Sequence, residues 1–404
     1  MKFFLYSIYC LTQIIKIDII HFNFVDILHY FDFVFAYQES IDSKLITSKH
    51  RLINYLIDKE YKILYIEVPD FFPIWIFKKF RNLIFFNRKK YINEKIKKVK
   101  IIKPFTFIPT KFLFDNKVIA KFEAFTIKTY LKFILKNKVI YSKYFFVYVP
   151  KAIELIFGKF ILSKNIYYHL IDDFRFLKRA PKIINYYHKL TLSLSSKIFT
   201  PSYFMAETIN NEKVHILPHG YINYKFNKNN YDIKNIISEN HKNIIYYGQL
   251  NKLNYSFIDL VISELKEFNF IFIGNIYCAN IRNYRNVNTI NFLDHKKLMF
   301  VLKSSQLLWC PFLQNKLNFS MTPIKFVEAL SFGIPVLSTN INLKDPEIKN
   351  FIEFRDYPVE HIDFIRSFQA YESTYKKIER KNAVRNRNWE NIINKLHKEI
   401  TTDV

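Results

Sequence analysis

Short apolar runs alternate with helix-patterned segments along most of this chain, and that alternation restricts its fold more than any other feature. Phe31 to Gln38 (FDFVFAYQ) reads as a strand. Lys44 to Lys59 follows, with Leu45, Leu52, Tyr55 and Leu56 spaced for one buried helix face. Lys62 to Val68 (KILYIEV) is a second strand-like run, closed by Pro69. A strand–helix–strand unit of this kind requires parallel strands joined by a right-handed crossover. Further apolar runs at Phe145–Val149, Asn165–Ile171 and Lys197–Thr200, with helical patterns between, extend the series. They predict a doubly wound α/β domain over residues 31–230.

After a polar, Asn-rich tract (NNEK, NKNNYDIKN) the alternation restarts. Strands are expected at Asn243–Tyr247, Phe268–Ile273, Leu307–Cys310 and Pro335–Ser338. Helices are expected near Ser256–Glu267, His295–Lys303 and Thr322–Ser331. This makes a second α/β domain over 231–385, joined to the first near 225–240, with a cleft between the two. Residues 386–404 hold a last helical pattern, Trp389–Ile400, able to pack on either domain. Residues 1–30 contain the apolar run Phe3–Ile15 between Lys2 and Lys16, too short to span a bilayer. They are read as an extension or membrane-proximal anchor.

Composition removes several classes. Only 5 of 404 residues are glycine, against roughly 7% in average usage, so a residue discarded elsewhere should survive where the backbone has no substitute. No Gly-x-Gly-x-x-Gly occurs, which argues against a dinucleotide redox enzyme. Cys10, Cys278 and Cys310 are unclustered and form neither a disulfide framework nor a metal knuckle, as in a reducing compartment. No Asp-x-Asp triplet lies in a suitable loop and the histidines are scattered, so no metal is expected. Much of the +26 charge tracks AT-rich codons, which also favour Phe, Tyr, Ile, Asn and Lys.

Thr322 to Asn340 (TPIKFVEALSFGIPVLSTN) is the most informative stretch. Thr322 suits an N-cap, Pro323 the first helical position, Gly333 a left-handed end, and Pro335 forbids continuation. The result is a short helix whose N-terminus faces the carboxyl ends of the parallel strands, where open α/β sheets bind ligands. Lys325 in the first turn opposes the helix dipole unless an anion lies between it and the helix end. Glu328 is three residues on and shares its face. Together they offer a cation for a pyrophosphate and a carboxylate for two ribose hydroxyls; the alternative is a surface Lys–Glu pair.

This stretch, TPxKxxEAxxxGxPV, resembles the nucleotide-sugar signature of GT-B glycosyltransferases of the group 1, family 4-like branch. Other segments resemble the same family: IIYYGQL (244–250), FIFIGN (270–275), NVNTINFLDHKKLMFVLKSSQLLWCPF (286–312), VHILPHGY (214–221) and RNWENII (387–393). HRLINYLIDKEYKILYIEVP (50–69) and IYYHLIDDF (166–174) are similar to the branch that builds capsular, exopolysaccharide and teichuronic-type polymers. The resemblance spans roughly residues 31–400. It implies two Rossmann-like domains facing a cleft, a donor on the C-terminal one and an acceptor on the N-terminal one. It further implies that Lys325 contacts the donor diphosphate and Glu328 the ribose. Gly248 would allow close approach of donor or acceptor. Asn275, Pro311, Thr322 and Ser320 would lie on the donor side, and His219 and Gly220 beside the hinge. Two departures stand out. Ser320 occupies the place where many relatives carry a first Glu, and Ile222 stands where an Asp is usual. The sequence therefore leaves the anomeric outcome open.

An inverting transfer needs a base for the acceptor hydroxyl. Asp172 and Asp173 end the strand NIYYHLI and are the candidates, since adjacent carboxylates resist joint ionisation. Alternatively the pair caps the next turn. From Lys78 to Lys103, 11 basic residues face one acid, Glu94, with aromatics interleaved. Trp75, Lys78, Lys79, Arg81, Arg88, Lys89 and Lys90 are read as contacts to an anionic membrane surface. A nucleic-acid partner is not expected, because no docking motif accompanies the charge. The reading is a cytoplasmic glycosyltransferase, peripheral on the inner face of the membrane. It would transfer a sugar from a nucleotide sugar to a glycan or polyprenyl-linked acceptor in cell-surface polysaccharide synthesis. A nucleotide-sugar epimerase of the same fold and a non-catalytic, membrane-associated scaffold are the alternatives.

Overall fold

The computed structural model describes residues 28–38, 48–75, 99–107, 117–136, 138–156, 161–176, 183–226, 233, 235–238, 241–275 and 280–401. Its first half contains strand β1 (Leu28–Gln38), helix α1 (Ser48–Asp58), β2 (Ile63–Glu67), the two-residue β3 (Asp70–Phe71), β4 (Val99–Ile102) and β5 (Phe105–Thr106). Then come α2 (Lys117–Ile134), β6 (Val139–Val147), β7 (Ile161–His169), α3 (Ile183–Leu194), β8 (Lys197–Thr200), α4 (Tyr203–Ile209) and β9 (Val214–Ile216). Seven of these strands form one parallel sheet in the order β4-β2-β1-β6-β7-β8-β9, and β3 pairs with β5 beside it.

The second half contains β10 (Lys242–Tyr247), α5 (Tyr255–Glu264), β11 (Phe268–Ile273), β12 (Val287–Ile290), α6 (His295–Lys303), β13 (Leu307–Cys310) and α7 (Lys316–Phe319). It continues with α8 (Ile324–Phe332), β14 (Val336–Ser338), β15 (Ile352–Phe354), α9 (Pro358–Ser367), α10 (Thr374–Val384) and α11 (Trp389–Thr401). Six strands form a second parallel sheet, β12-β11-β10-β13-β14-β15. In both sheets the order reverses at the first strand, the topology that opens a crevice at the carboxyl ends.

Apolar content explains both layers. The central strands are buried on both faces, so they read as continuous apolar runs, as parallel sheets require. One face of the first sheet packs on α2 and α3 through Ala120, Ile127, Leu131 and Tyr187. The other face packs on α1 and α11, with Leu52, Leu56, Trp389, Ile392, Ile393 and Leu396 against Phe33, Phe35 and Tyr65. The last helix therefore returns to the first domain. Tyr55 Oη donates to Asn394 Oδ1 at 2.8 Å and Tyr61 Oη lies 2.8 Å from His397 Nε2.

Element bounds differ from expectation where the pattern was silent. β1 starts at Leu28 rather than Phe31, and β6 at Val139 rather than Phe145. β4 lies inside the basic stretch, its register carried by buried Val99 and Ile102. Helix α8 starts at Ile324, with Pro323 one place earlier than expected: its ψ of 120° holds it extended, and Thr322 makes no capping bond. Residues 1–27, and with them Cys10, lie outside the described residues, as do Cys278 and Gly158.

Candidate donor and acceptor site

The carboxyl ends of β7, β10, β11 and β13 converge with the N-terminus of α8. Lys325, in the first turn of α8, is 8% exposed. Its Nζ lies 4.0 Å from the Tyr246 ring centroid, 5.2 Å from Phe312 and 5.8 Å from Tyr247. Burial among these rings pushes the ammonium down to about 8. A cation is thus held in low-dielectric surroundings at a helix N-terminus, where an anion would relieve the desolvation.

Gly248 makes that place accessible. Its φ is 112°, and a Cβ there would stand 3.2 Å from Lys325 Nζ. Gly274, with φ 145°, is forced by contact with the same turn, since a Cβ would come within 2.1 Å of the Gly248 carbonyl oxygen. The two glycine turns after β10 and β11 press together because neither carries a side chain.

A second cation was missed by the sequence reading. Lys252, on the turn after Gly248, points its Nζ to 3.8 Å from Asp172 Oδ1 and 3.4 Å from Met321 Sδ. It also opposes the charge on Lys325. Its position four residues beyond a glycine at a strand end was the available signal. Two ammonium groups beside a backbone turn without side chains can neutralise a diphosphate.

Glu328 is buried one turn deeper, with both oxygens engaged. Tyr247 Oη donates to Oε2 at 2.6 Å, and His295 Nε2 lies 3.0 Å from Oε1. His295 Nδ1 is 2.9 Å from Tyr224 Oη, and the Arg51 guanidinium of α1 interacts electrostatically with both Tyr224 and Glu328. A chain of contacts therefore runs from the first domain through the hinge to this carboxylate. Neither Arg51, Tyr224 nor His295 carries a motif that sequence reasoning could use.

The acidic pair separates. Asp173 is 1% exposed and grips Arg175: Arg175 Nε donates at 2.8 Å, Nη2 at 2.5 Å and the backbone N–H at 3.0 Å. It caps the turn Phe174–Phe176, so the paired-carboxylate expectation is corrected: a buried carboxylate with three donors on it is not presented to an acceptor. Asp172 has 46% of its side chain exposed and faces Lys252 across the cleft. His219 is half-buried, and burial pushes it to about 4, with Asp172 and Glu328 pulling the other way. It is neutral at neutral pH.

The remaining expected residues divide. Gly220 sits where the hinge meets the C-terminal return: a Cβ would lie 2.9 Å from Arg387 O and from Trp389 Cδ2. Tyr221 and Asn388 bridge in parallel there. Arg387 is anchored on Asp345 at 2.6 Å and Glu347 at 2.7 Å. Asn275 is exposed at the end of β11. Pro311 is buried, and its carbonyl accepts from Asn254 N at 2.9 Å. Ser320 and Thr322 are buried as well, and Ser320 Oγ donates to Leu317 O at 2.8 Å, so its hydroxyl is turned to backbone rather than to a ligand.

Trp75 is part-buried. Its ring packs on Phe72, Phe105 and Tyr130, and Nε1 donates to Lys103 O at 3.1 Å. Lys103 itself pairs with Glu67 and Asp70. Lys78, Lys79, Arg81, Arg88, Lys89 and Lys90 lie outside the described residues. Among the described residues no three His, Cys, Asp or Glu side chains group as metal ligands, and no helix is long and apolar enough to cross a membrane.

No family profile matches the chain, and no curated protein matches it in sequence. Solved structures do. Anabaena Alr3699/HepE in complex with UDP and glucose superimposes with TM-score 0.57 at 16% identity, covering 92% of this chain and 100% of that one. The apo structure of OtsA gives 0.59 at 10% identity, covering 91% and 99%. A Listeria monocytogenes UDP-N-acetylglucosamine 2-epimerase gives 0.55 at 10% identity, covering 94% and 96%. The chain has the GT-B fold: two parallel α/β domains facing a cleft. Glycosyltransferases and an epimerase share that architecture, so the fold alone does not separate them.

Proposed function

We propose that this protein is a glycosyltransferase that moves a sugar from a nucleotide-sugar donor to a glycan or polyprenyl-linked acceptor in cell-surface polysaccharide synthesis. It would work without a metal, on the cytoplasmic face of the membrane. The observation that carries the reading is the pair Lys325 and Lys252 around the bare Gly248 turn, with Glu328 one helical turn deeper and Asp172 opposite. The donor diphosphate would lie between the ammonium groups and the first turn of α8. The ribose would take Glu328 as acceptor in place of Tyr247 or His295. If the reaction inverts, Asp172 takes the proton of the acceptor hydroxyl while its oxygen attacks the anomeric carbon and the nucleoside diphosphate leaves. Lys252 beside Asp172 then stabilises the leaving charge. That Alr3699/HepE was solved with UDP and glucose makes UDP the first nucleotide to test.

Thermal unfolding against UDP, GDP, CMP and TDP sugars tests the donor. A ligand at about a hundredfold its Kd adds about 2.7 kcal/mol, and Lys325→Ala and Glu328→Ala should abolish the shift. No shift with any nucleotide would leave the scaffold reading. The Listeria neighbour favours the second reading, an epimerase. Conversion of the sugar nucleotide to its epimer without any acceptor would establish it and overturn the transferase.

A further inference from the structure

Helix α2 presents an unusual outer face. Its inner side, with Ala120, Ile127 and Leu131 in the core of the first sheet and Ala124 buried beside them, faces inward. On the opposite side Val118 is 72% exposed, Phe125 65% and Phe133 59%. Their spacings of seven and eight residues place them on one stripe. Lys117, Lys121 and Lys132, all exposed, flank that stripe, and Lys136 continues it beyond the helix end. The single carboxylate of the helix, Glu123, is buried against Lys151, so every exposed charge on α2 is positive. Large exposed aromatics on a helix with this polarity are costly in water and suit a boundary between water and acyl chains.

One neighbour extends the face: Lys117 Nζ lies 4.2 Å over the ring of Tyr186, itself 40% exposed on α3. On the core side of the helix, Tyr130 packs edge-on against Trp75, whose indole donates to Lys103 O.

We infer that the outer face of α2 docks on an anionic lipid bilayer, with Phe125 and Phe133 inserted at the headgroup boundary and the lysine row over acidic headgroups. Charge complementarity selects this occupant: a protein partner would have to bring acidic groups and an apolar strip in the same register, whereas an anionic leaflet offers both everywhere. The inference rests on surface chemistry and needs no donor site. Only the location of the acceptor links it to the proposed transferase.

Flotation of the full chain tests it, using vesicles of phosphatidylglycerol and phosphatidylcholine in equal parts against phosphatidylcholine alone. Wild type should float with the anionic vesicles, less so at high salt. The double variant Phe125→Ser/Phe133→Ser should lose at least about tenfold in vesicle partitioning and the triple variant Lys117→Gln/Lys121→Gln/Lys132→Gln about a hundredfold, with unchanged melting temperatures. Normal flotation of both variants would overturn the inference. Loss only on Lys/Arg→Gln replacement between residues 78 and 100 would do the same, assigning the contact to that segment. If either α2 variant unfolds, Phe125→Trp decides. Its emission should blue-shift on anionic vesicles, and an unshifted spectrum counts against docking.

Discussion

At the scale of single residues, chemistry turns on which charges are consumed internally. Asp172 and Asp173 are adjacent and equivalent in sequence, yet Arg175 takes one and leaves the other in the cleft. If the reaction inverts, Asp172→Asn should abolish sugar transfer while leaving UDP binding intact, measured by product formation and calorimetry. Asp173→Asn should instead lower stability by about 2 kcal/mol in denaturant unfolding, less than the 3–5 of a fully buried pair because Arg175 reaches water. Lys325 adds a pH signature. Its ammonium is pushed down to about 8 by burial. In the unliganded protein the penalty of holding it charged is therefore full below pH 8, and it disappears as pH rises toward the unfolded value. Nucleotide binding needs the charged form and runs the other way. UDP affinity should fall about tenfold between pH 7 and 9, and Lys325→Met should flatten that step. Equal slopes in both proteins would show that Lys325 does not hold the anion.

At the scale of elements, the turns after β10 and β11 act as one unit. Gly274→Ala would set a Cβ 2.1 Å from Gly248 O at a φ of 145°, and should destabilise by about 3 kcal/mol or more in chemical denaturation. Gly248→Ala meets only the flexible end of Lys325. It should cost less stability but shift the ammonium and weaken UDP binding, measured by calorimetry. Elements were legible where burial on both faces made continuous apolar runs: β8, β11 and β13 match expectation residue for residue. β4 was not, because only Val99 and Ile102 are buried, with Lys100 and the exposed Ile101 between them. The first turn of α8 was read one residue early because proline suits both the first helical position and an extended cap. Its ψ, set by the chain around it, decides between them.

At the scale of the whole molecule, ties between the two domains among the described residues include α11 in the core of the first domain, the Tyr221–Asn388 bridge, the Lys252–Asp172 and Lys344–Glu207 ion pairs, and the contacts from Arg51 to Glu328. Arg51→Ala should weaken UDP binding several-fold, about 1–2 kcal/mol, by freeing Tyr224 and His295 to reorient. The change should appear in KM with little effect on kcat, and an effect on kcat alone would assign Arg51 to the chemistry instead. Alternation of apolar runs and the Thr322–Asn340 pattern were enough to specify two parallel α/β domains and a helix N-terminus carrying Lys325 and Glu328. Those features are local, set by periodicity and backbone conformation within a few residues. The cleft partners Lys252, Tyr247, His295 and Arg51, the removal of Asp173 and the exposed face of α2 came only from the tertiary structure. The cleft partners depend on which distant segments pack together, and sequence spacing carries no record of contacts 33 to 81 positions apart; Asp173 is taken by Arg175 two residues on, through a side-chain geometry that residue type alone does not fix.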